Sequence, residues 1–268
     1  MITKLKTVGL LYVFLFYIIS CSTEIVKLTD TAPSSDINRD TAKPKVALLR
    51  GNEAREKGDY AMALEWYRKA AEQGEAQAQY NLGVMYDNGQ GVTKNTQQAV
   101  KWFRKAAEQG LADAQSYLGM MYYKGEEITP NYQQTIKWFR KAAEQGHLDA
   151  QFNLGNMYDN GKGVTQNAQQ AVKWFRKAAE QGHVKAQNNL GAMYYYGTGV
   201  TQNHQQAIKW LHKAAKQGHV FAQYNLGVMY YNGKGITQNH QESIKWLRKA
   251  AKQGNANARH MLKVMRAE

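Results

Sequence analysis

His147, His183 and His219 stand 36 residues apart, and His204 and His240 repeat the same interval. Histidines at fixed spacing raise the question of a metal, which in a zinc site must sit about 2.1 Å from each ligand. The interval argues against it. If 36 residues make one structural unit, equivalent side chains in stacked helix pairs lie roughly 10 Å apart. No two of these histidines could then share an ion, and neither metal nor cofactor is expected. Serine chemistry fares no better: Ser22, Ser34, Ser35, Ser116 and Ser243 fall in none of S-x-x-K, G-x-S-x-G or K-T-G. Glu72, Glu108, Glu144 and Glu180 also recur every 36 residues, as solvated or i,i+4 paired charges do, Arg104 with Glu108 being one such pair. An active site is one constellation, whereas these groups occur many times over. The chain reads as a non-enzyme, with one reactive group left over, the single thiol of Cys21.

That cysteine closes an export signal. Lys4 and Lys6 form a short positive region, and the run from Val8 to Ile19 is apolar apart from tyrosines and one glycine. It is too short to span a bilayer, which takes about 20 apolar residues, and suits a cleaved leader over 1–20. The sequence Ile18-Ile19-Ser20-Cys21 resembles the bacterial lipobox, in which cysteine is acylated and becomes the first mature residue. Ser22 follows it rather than Asp, which by resemblance to Gram-negative lipoproteins implies the outer membrane, facing the periplasm. A single cysteine used for lipid leaves none for disulfides, so packing alone must hold the fold. Residues 21–44 are rich in Ser, Thr, Asp and Pro and read as a flexible tether reaching roughly 25–30 Å. The formal charge is +14, or about +12 without Lys4 and Lys6. Such a balance suits nucleic acid, an anionic membrane or an acidic polymer, and export removes nucleic acid from that set.

The elements that position everything else repeat. Trp66, Trp102, Trp138, Trp174, Trp210 and Trp246 keep the 36-residue period, as do Gly74, Gly110, Gly146, Gly182, Gly218 and Gly254, each after a Gln. Each unit holds two amphipathic helical patterns. In the first, Ala78, Leu82, Met85 and Tyr86 form one stripe, ended by glycines such as Gly89 and Gly91. The second opens at Asn95 with Gln98 three residues on, a capping-box pattern. Its stripe is Ala99, Val100, Phe103, Ala106 and Ala107. A glycine inside each first helix (Gly83, Gly119, Gly155, Gly191, Gly227) costs about 1 kcal/mol relative to alanine, so a backbone or ring is expected to pack closely there.

The pattern A-x-A-Q-x-x-L-G-x-M-Y-x-x-G-x-G-V, then A-x-K-W-F-R-K-A-A-E-Q-G, resembles the Sel-like repeat family, relatives of tetratricopeptide repeats. The resemblance implies an all-α, right-handed superhelical solenoid of antiparallel helix pairs. Five Sel-like repeats are expected over 75–254, a tetratricopeptide-like unit over 45–74 and a capping helix over 255–268, thirteen helices in all. It also implies a protein- or peptide-binding scaffold. A cysteine-rich Helicobacter branch carries disulfides and a β-lactamase-like activity; this chain lacks those cysteines. A surface-exposed or secreted host-interaction factor and a cell-wall or β-lactam-acting enzyme are the alternatives to an envelope adaptor, and a monomer is expected.

Two surfaces are candidates. By the family's geometry, partners lie in a concave groove against first-helix residues, which here are Tyr80, Asp87, Asn88, Tyr123, Phe152, Asn156, Asp159, Tyr195, Tyr196, Phe221, Tyr224 and Tyr231. These positions differ between otherwise near-identical units, and aromatics, which interfaces enrich, recur among them. Phe152 and Tyr224 are expected to point outward. The second helices present Lys101, Arg104, Lys137, Arg140, Lys173, Arg176, Lys245 and Arg248 as a basic ridge suited to weak contact with anionic lipid headgroups.

Overall fold

The computed structural model of the chain describes residues 43–125 and 128–267. The leader, Cys21 and nearly all of the tether lie outside the described residues. Thirteen α-helices occur among those described. They are α1 (Pro44–Glu56), α2 (Tyr60–Glu72), α3 (Ala76–Asn88), α4 (Thr96–Glu108), α5 (Ala112–Lys124), α6 (Tyr132–Glu144), α7 (Leu148–Asn160), α8 (Ala168–Glu180), α9 (Val184–Tyr196), α10 (His204–Lys216), α11 (Val220–Asn232), α12 (His240–Lys252) and α13 (Ala256–Ala267). Each packs on its neighbours in sequence, most extensively within the pairs α1–α2 through α11–α12. This is an all-α solenoid of stacked helix pairs closed by α13. No helix of the described residues is long and apolar enough to cross a membrane.

Local chemistry sets the helix ends. Gly89, Gly125, Gly161, Gly197 and Gly233 close the odd-numbered helices α3 to α11 in the left-handed conformation, with φ between 66° and 75°. Each even-numbered helix from α4 opens on an asparagine whose side chain accepts from the amide three residues on, as Asn95 does from Gln98 at 2.9 Å. The reciprocal half of the capping box is replaced. The Asn95 amide donates to the Tyr86 carbonyl at 2.8 Å, and the same bond recurs from Asn131, Asn167, Asn203 and Asn239. The loop backbone thereby returns to the helix it left.

The core repeats as the helices do. Leu82, Leu118, Leu154, Leu190 and Leu226 are fully buried, as are Phe103, Phe139 and Phe175 or, in the last two pairs, Leu211 and Leu247. The glycine within each odd-numbered helix from α3 to α11 is explained by this side chain. A Cβ on Gly155 would stand 2.7 Å from the Phe175 ring, and one on Gly191 equally near Leu211. A β-carbon there would need space the neighbour already fills.

A second set of contacts runs along the stack. Gln79, Gln115, Gln151, Gln187 and Gln223 are buried, and each donates to a carbonyl in the last turn of the preceding even-numbered helix, Gln151 to Ala143 at 3.0 Å. Each also accepts from the glutamine that ends the next even-numbered helix. Gln109 reaches Gln79, Gln145 reaches Gln115, Gln181 reaches Gln151, Gln217 reaches Gln187 and Gln253 reaches Gln223, all within 2.8 Å. In each of the five rungs of this amide ladder the Gln–Gln bond joins the two helices of one pair, and the bond to the alanine carbonyl joins that pair to the preceding one.

Candidate partner-binding surfaces

The odd-numbered helices leave clefts between them. Between α9 and α11 lies one lined by Ala192, Tyr195, Tyr196, Tyr224, Asn225 and Val228. Between α5 and α7, Met120, Tyr123, Asn153, Asn156, Asn160 and Lys162 line another, and Asp87 faces Tyr117, Met120 and Lys124 between α3 and α5. Among the described residues Tyr196 and Phe221 are the most open rings, 73% and 60% exposed, and Asn88 is also exposed. The other nine groove positions are half-buried.

Phe152 and Tyr224 are among those nine, and the expectation that they point freely outward is corrected. Phe152 stacks on His183 with centroids 4.3 Å apart and leans on Phe175 at 5.9 Å, while Tyr224 packs on the last core cluster. Tyr80 leans likewise on Phe103 at 5.6 Å. The cause is the helical glycine three residues on: residues i and i+3 share a face. The ring admitted by Gly83 or Gly155 therefore meets the side chain one turn earlier.

Several polar groove residues hold each other. Tyr117 donates to Asp87 at 2.7 Å, and burial, then that bond and the Asp87 charge, push the Tyr117 phenol well up. Burial raises the Asp159 carboxyl. Lys162 donates to the Tyr123 hydroxyl at 3.0 Å. Tyr195 and Tyr231 lean on His204 and His240, with ring centroids 5.0 and 5.2 Å apart.

The basic ridge is more tethered than its pattern suggests. Lys101, Arg104, Lys137, Arg140, Lys173, Lys245 and Arg248 are exposed, and Arg176 is half-buried. Arg104, Arg140 and Arg176 donate to Tyr122, Tyr158 and Tyr194 of the following helix at 2.7, 2.9 and 2.9 Å. The expected pairing of Arg104 with Glu108 is therefore replaced by a phenol from the next unit. Lys137 and Lys173 lie over Trp138 and Trp174, and Lys105, Lys141, Lys177, Lys213 and Lys249 cover the tryptophans of their own helices.

The histidines found a role that sequence reasoning missed. Nδ1 of His147, His183 and His219 accepts from the amides of Ala150, Ala186 and Ala222 at 3.2, 3.1 and 3.3 Å. Nε2 of His147 and of His183 faces Asp113 and Asp149 of the preceding unit at 3.4 and 3.5 Å. These are helix caps and cross-unit struts. The available signal was Asn255, an ordinary cap residue at the same repeat position, which accepts from Ala258. Among the described residues no group of three His, Cys, Asp or Glu could hold a metal ion.

The repeat geometry corresponds to a known one. The Sel1 repeat model matches residues 45–75, 76–111, 112–147, 148–183, 184–219 and 220–255. The chain belongs to the Sel1-repeat family. Its first match covers the segment that the sequence set apart as tetratricopeptide-like. Proteins of this family are generally protein-interaction scaffolds, and the Sel1-repeat fold is not an enzyme family. Among solved structures, c5321, a protective antigen of uropathogenic Escherichia coli strains with an SLR fold, is 40% identical with a TM-score of 0.79 over 83% of this chain. The match covers 49% of that protein, so this chain spans about half its length. A Sel1 repeat protein from Oxalobacter formigenes is 36% identical, with a TM-score of 0.71 over 79% of this chain and 84% of that one. No curated protein matches the chain.

Proposed function

We propose that this Sel1-repeat chain is a lipid-anchored scaffold of the bacterial cell envelope that captures a protein or peptide against its odd-numbered helices. The observation that carries the binding reading is the pair of open rings Tyr196 and Phe221, 73% and 60% exposed, Tyr196 lining the α9–α11 cleft and Phe221 a second cleft against Gln253, Asn255 and Asn257. Aromatic rings left in water next to a cleft are what interfaces enrich, and such anchors each carry about 2 kcal/mol or more of binding. A photo-reactive residue at Tyr196 or Phe221 should therefore trap a protein partner from the native envelope. Tyr196→Ser with Phe221→Ser should abolish capture with little movement of the melting curve, because both rings lie mostly in water, with one ring contact each, to Tyr195 and to His219. Trapping from Lys101 instead, with silence at both rings, would put the working surface on the other helices.

The anchor reading rests on Ile18-Ile19-Ser20-Cys21. Cys21→Ser should leave an unprocessed or soluble precursor that takes up no palmitate analogue; a wild-type protein that itself fails to label would end the lipid reading. A second orientation has a specific observation behind it. The 40% identical Escherichia coli relative is a protective antigen, which favours exposure on the outer cell surface over the periplasm. Protease treatment of intact cells separates the two.

A further inference from the structure

Charge is distributed unevenly along the chain. Residues 1–42 hold four Lys or Arg against four Asp or Glu, and residues 43–208 hold twenty against fifteen. Residues 209–268 hold eleven against two. Most of the net +14 therefore sits in the last 60 residues. One repeat position drives the change. Glu72, Glu108, Glu144 and Glu180 are the last residues of α2, α4, α6 and α8, whereas Lys216 and Lys252 end α10 and α12. Lys209, Lys216, Lys252 and Lys263 are all exposed. Glu242, the one carboxylate among the described residues of this stretch, is held by Lys245 at 2.8 Å.

We propose that the outward faces of α10 and α12, with α13, form a docking surface for the anionic phospholipid headgroups of a membrane. This goes beyond the groove reading and rests on other residues. Lysine dominates this end, and a lysine is a compact, rotatable point charge suited to mobile phosphates. A fixed carboxylate on a protein would favour the two-pronged arginine fork. Of the earlier ridge, Arg104, Arg140 and Arg176 are spent on tyrosines, while in α10 the equivalent residue is His212. Each exposed cation near an anionic leaflet strengthens binding about fivefold, and the attraction decays over a Debye length of about 8 Å at physiological salt.

The test uses the mature chain from residue 21, produced without its leader and carrying Cys21→Ser so that neither apolar leader nor acyl chain contributes, and vesicles of phosphatidylcholine with or without phosphatidylglycerol. The protein should sediment with the anionic vesicles only and be released by high salt. Lys216→Glu with Lys252→Glu installs the residue that four equivalent helices already carry, and should weaken binding at least about tenfold. Lys45→Glu with Lys57→Glu makes the same charge change at the far end and should weaken it no more than about twofold. Glu180→Lys extends the lysine run by one unit and should strengthen it. Equal losses from the two double variants would mean that net charge alone acts, and would overturn a located surface. Binding to neutral vesicles would overturn the headgroup assignment. Tighter binding to polyglutamate than to anionic vesicles would make the partner an acidic polypeptide instead.

Discussion

Gly155 faces the Phe175 ring at a distance no β-carbon can share. Alanine is the better helix former by about 1 kcal/mol, so propensity alone would make Gly155→Ala stabilising. Overpacking costs about 1–3 kcal/mol and is expected to win, with denaturant melts reporting a net loss. His183 offers a different test at the same scale. Burial lowers its pKa most, with Asp149 pulling the other way and Lys185 adding to the lowering. His219 is lowered by burial and then Lys185. A base whose folded pKa lies below its unfolded value of about 6.5 binds fewer protons folded than unfolded. Its contribution is thus present above that value and lost as pH falls through it. Protonated Nδ1 also ceases to accept from the Ala186 amide, which removes the cap. Melting temperature should fall between about pH 7 and pH 5, and His183→Asn with His219→Asn should flatten that dependence, since asparagine caps without titrating. An unchanged slope in the double variant would sink this account.

Between helices, the amide ladder is the feature whose loss is most readily measured. Gln151→Ala removes the acceptor for Gln181 and the donor to the Ala143 carbonyl. The Ala143 carbonyl keeps the Gly146 amide and Gln181 keeps the Gly146 carbonyl, so the cost is that of the lost hydrogen bonds, about 0.5–1.5 kcal/mol each. Gln253 ends the last rung at an exposed position, so Gln253→Ala should cost less, and guanidinium midpoints of the two variants check the order. This ladder was not legible in the sequence. Each partner lies 30 residues away, and the glutamine of a Gln-Gly stop reads as a solvated helix end. The helices themselves were legible because their signals are local: Asn95 and Gln98 sit in one turn, and Gly89 ends the stripe it follows. The ring over each helical glycine was also within reach, since its 36-residue recurrence demanded a steric cause. The groove was only partly so. Its positions follow from the repeat, but whether Phe152 faces water or His183 depends on how the next helix pair is rotated, and no local pattern encodes that.

Among the described residues each helix packs chiefly on its neighbours in sequence, so stability should build unit by unit. Deleting residues 147–182, one full period, rejoins a helix pair to an equivalent one. That chain should keep its helicity per residue by circular dichroism and melt at a lower temperature. Deleting 147–164 removes α7 without α8, leaves the α6 and α8 faces unmatched, and should lose cooperative melting. Similar melts for the two deletions would speak against nearest-neighbour stacking. The five rungs of the ladder carry a consequence for inheritance. The bond of each rung that crosses between pairs always runs from a glutamine to the alanine carbonyl eight residues before it, so any pair can accept any other as its neighbour. Near-identical units invite unequal crossing-over between gene copies, and a product that gains or loses whole periods still closes every rung. Length in this chain is thus a heritable quantity that can change in steps of 36 residues without a folding penalty at the junction, while Tyr196, Phe221 and the lysines of the last two pairs travel with the units that carry them.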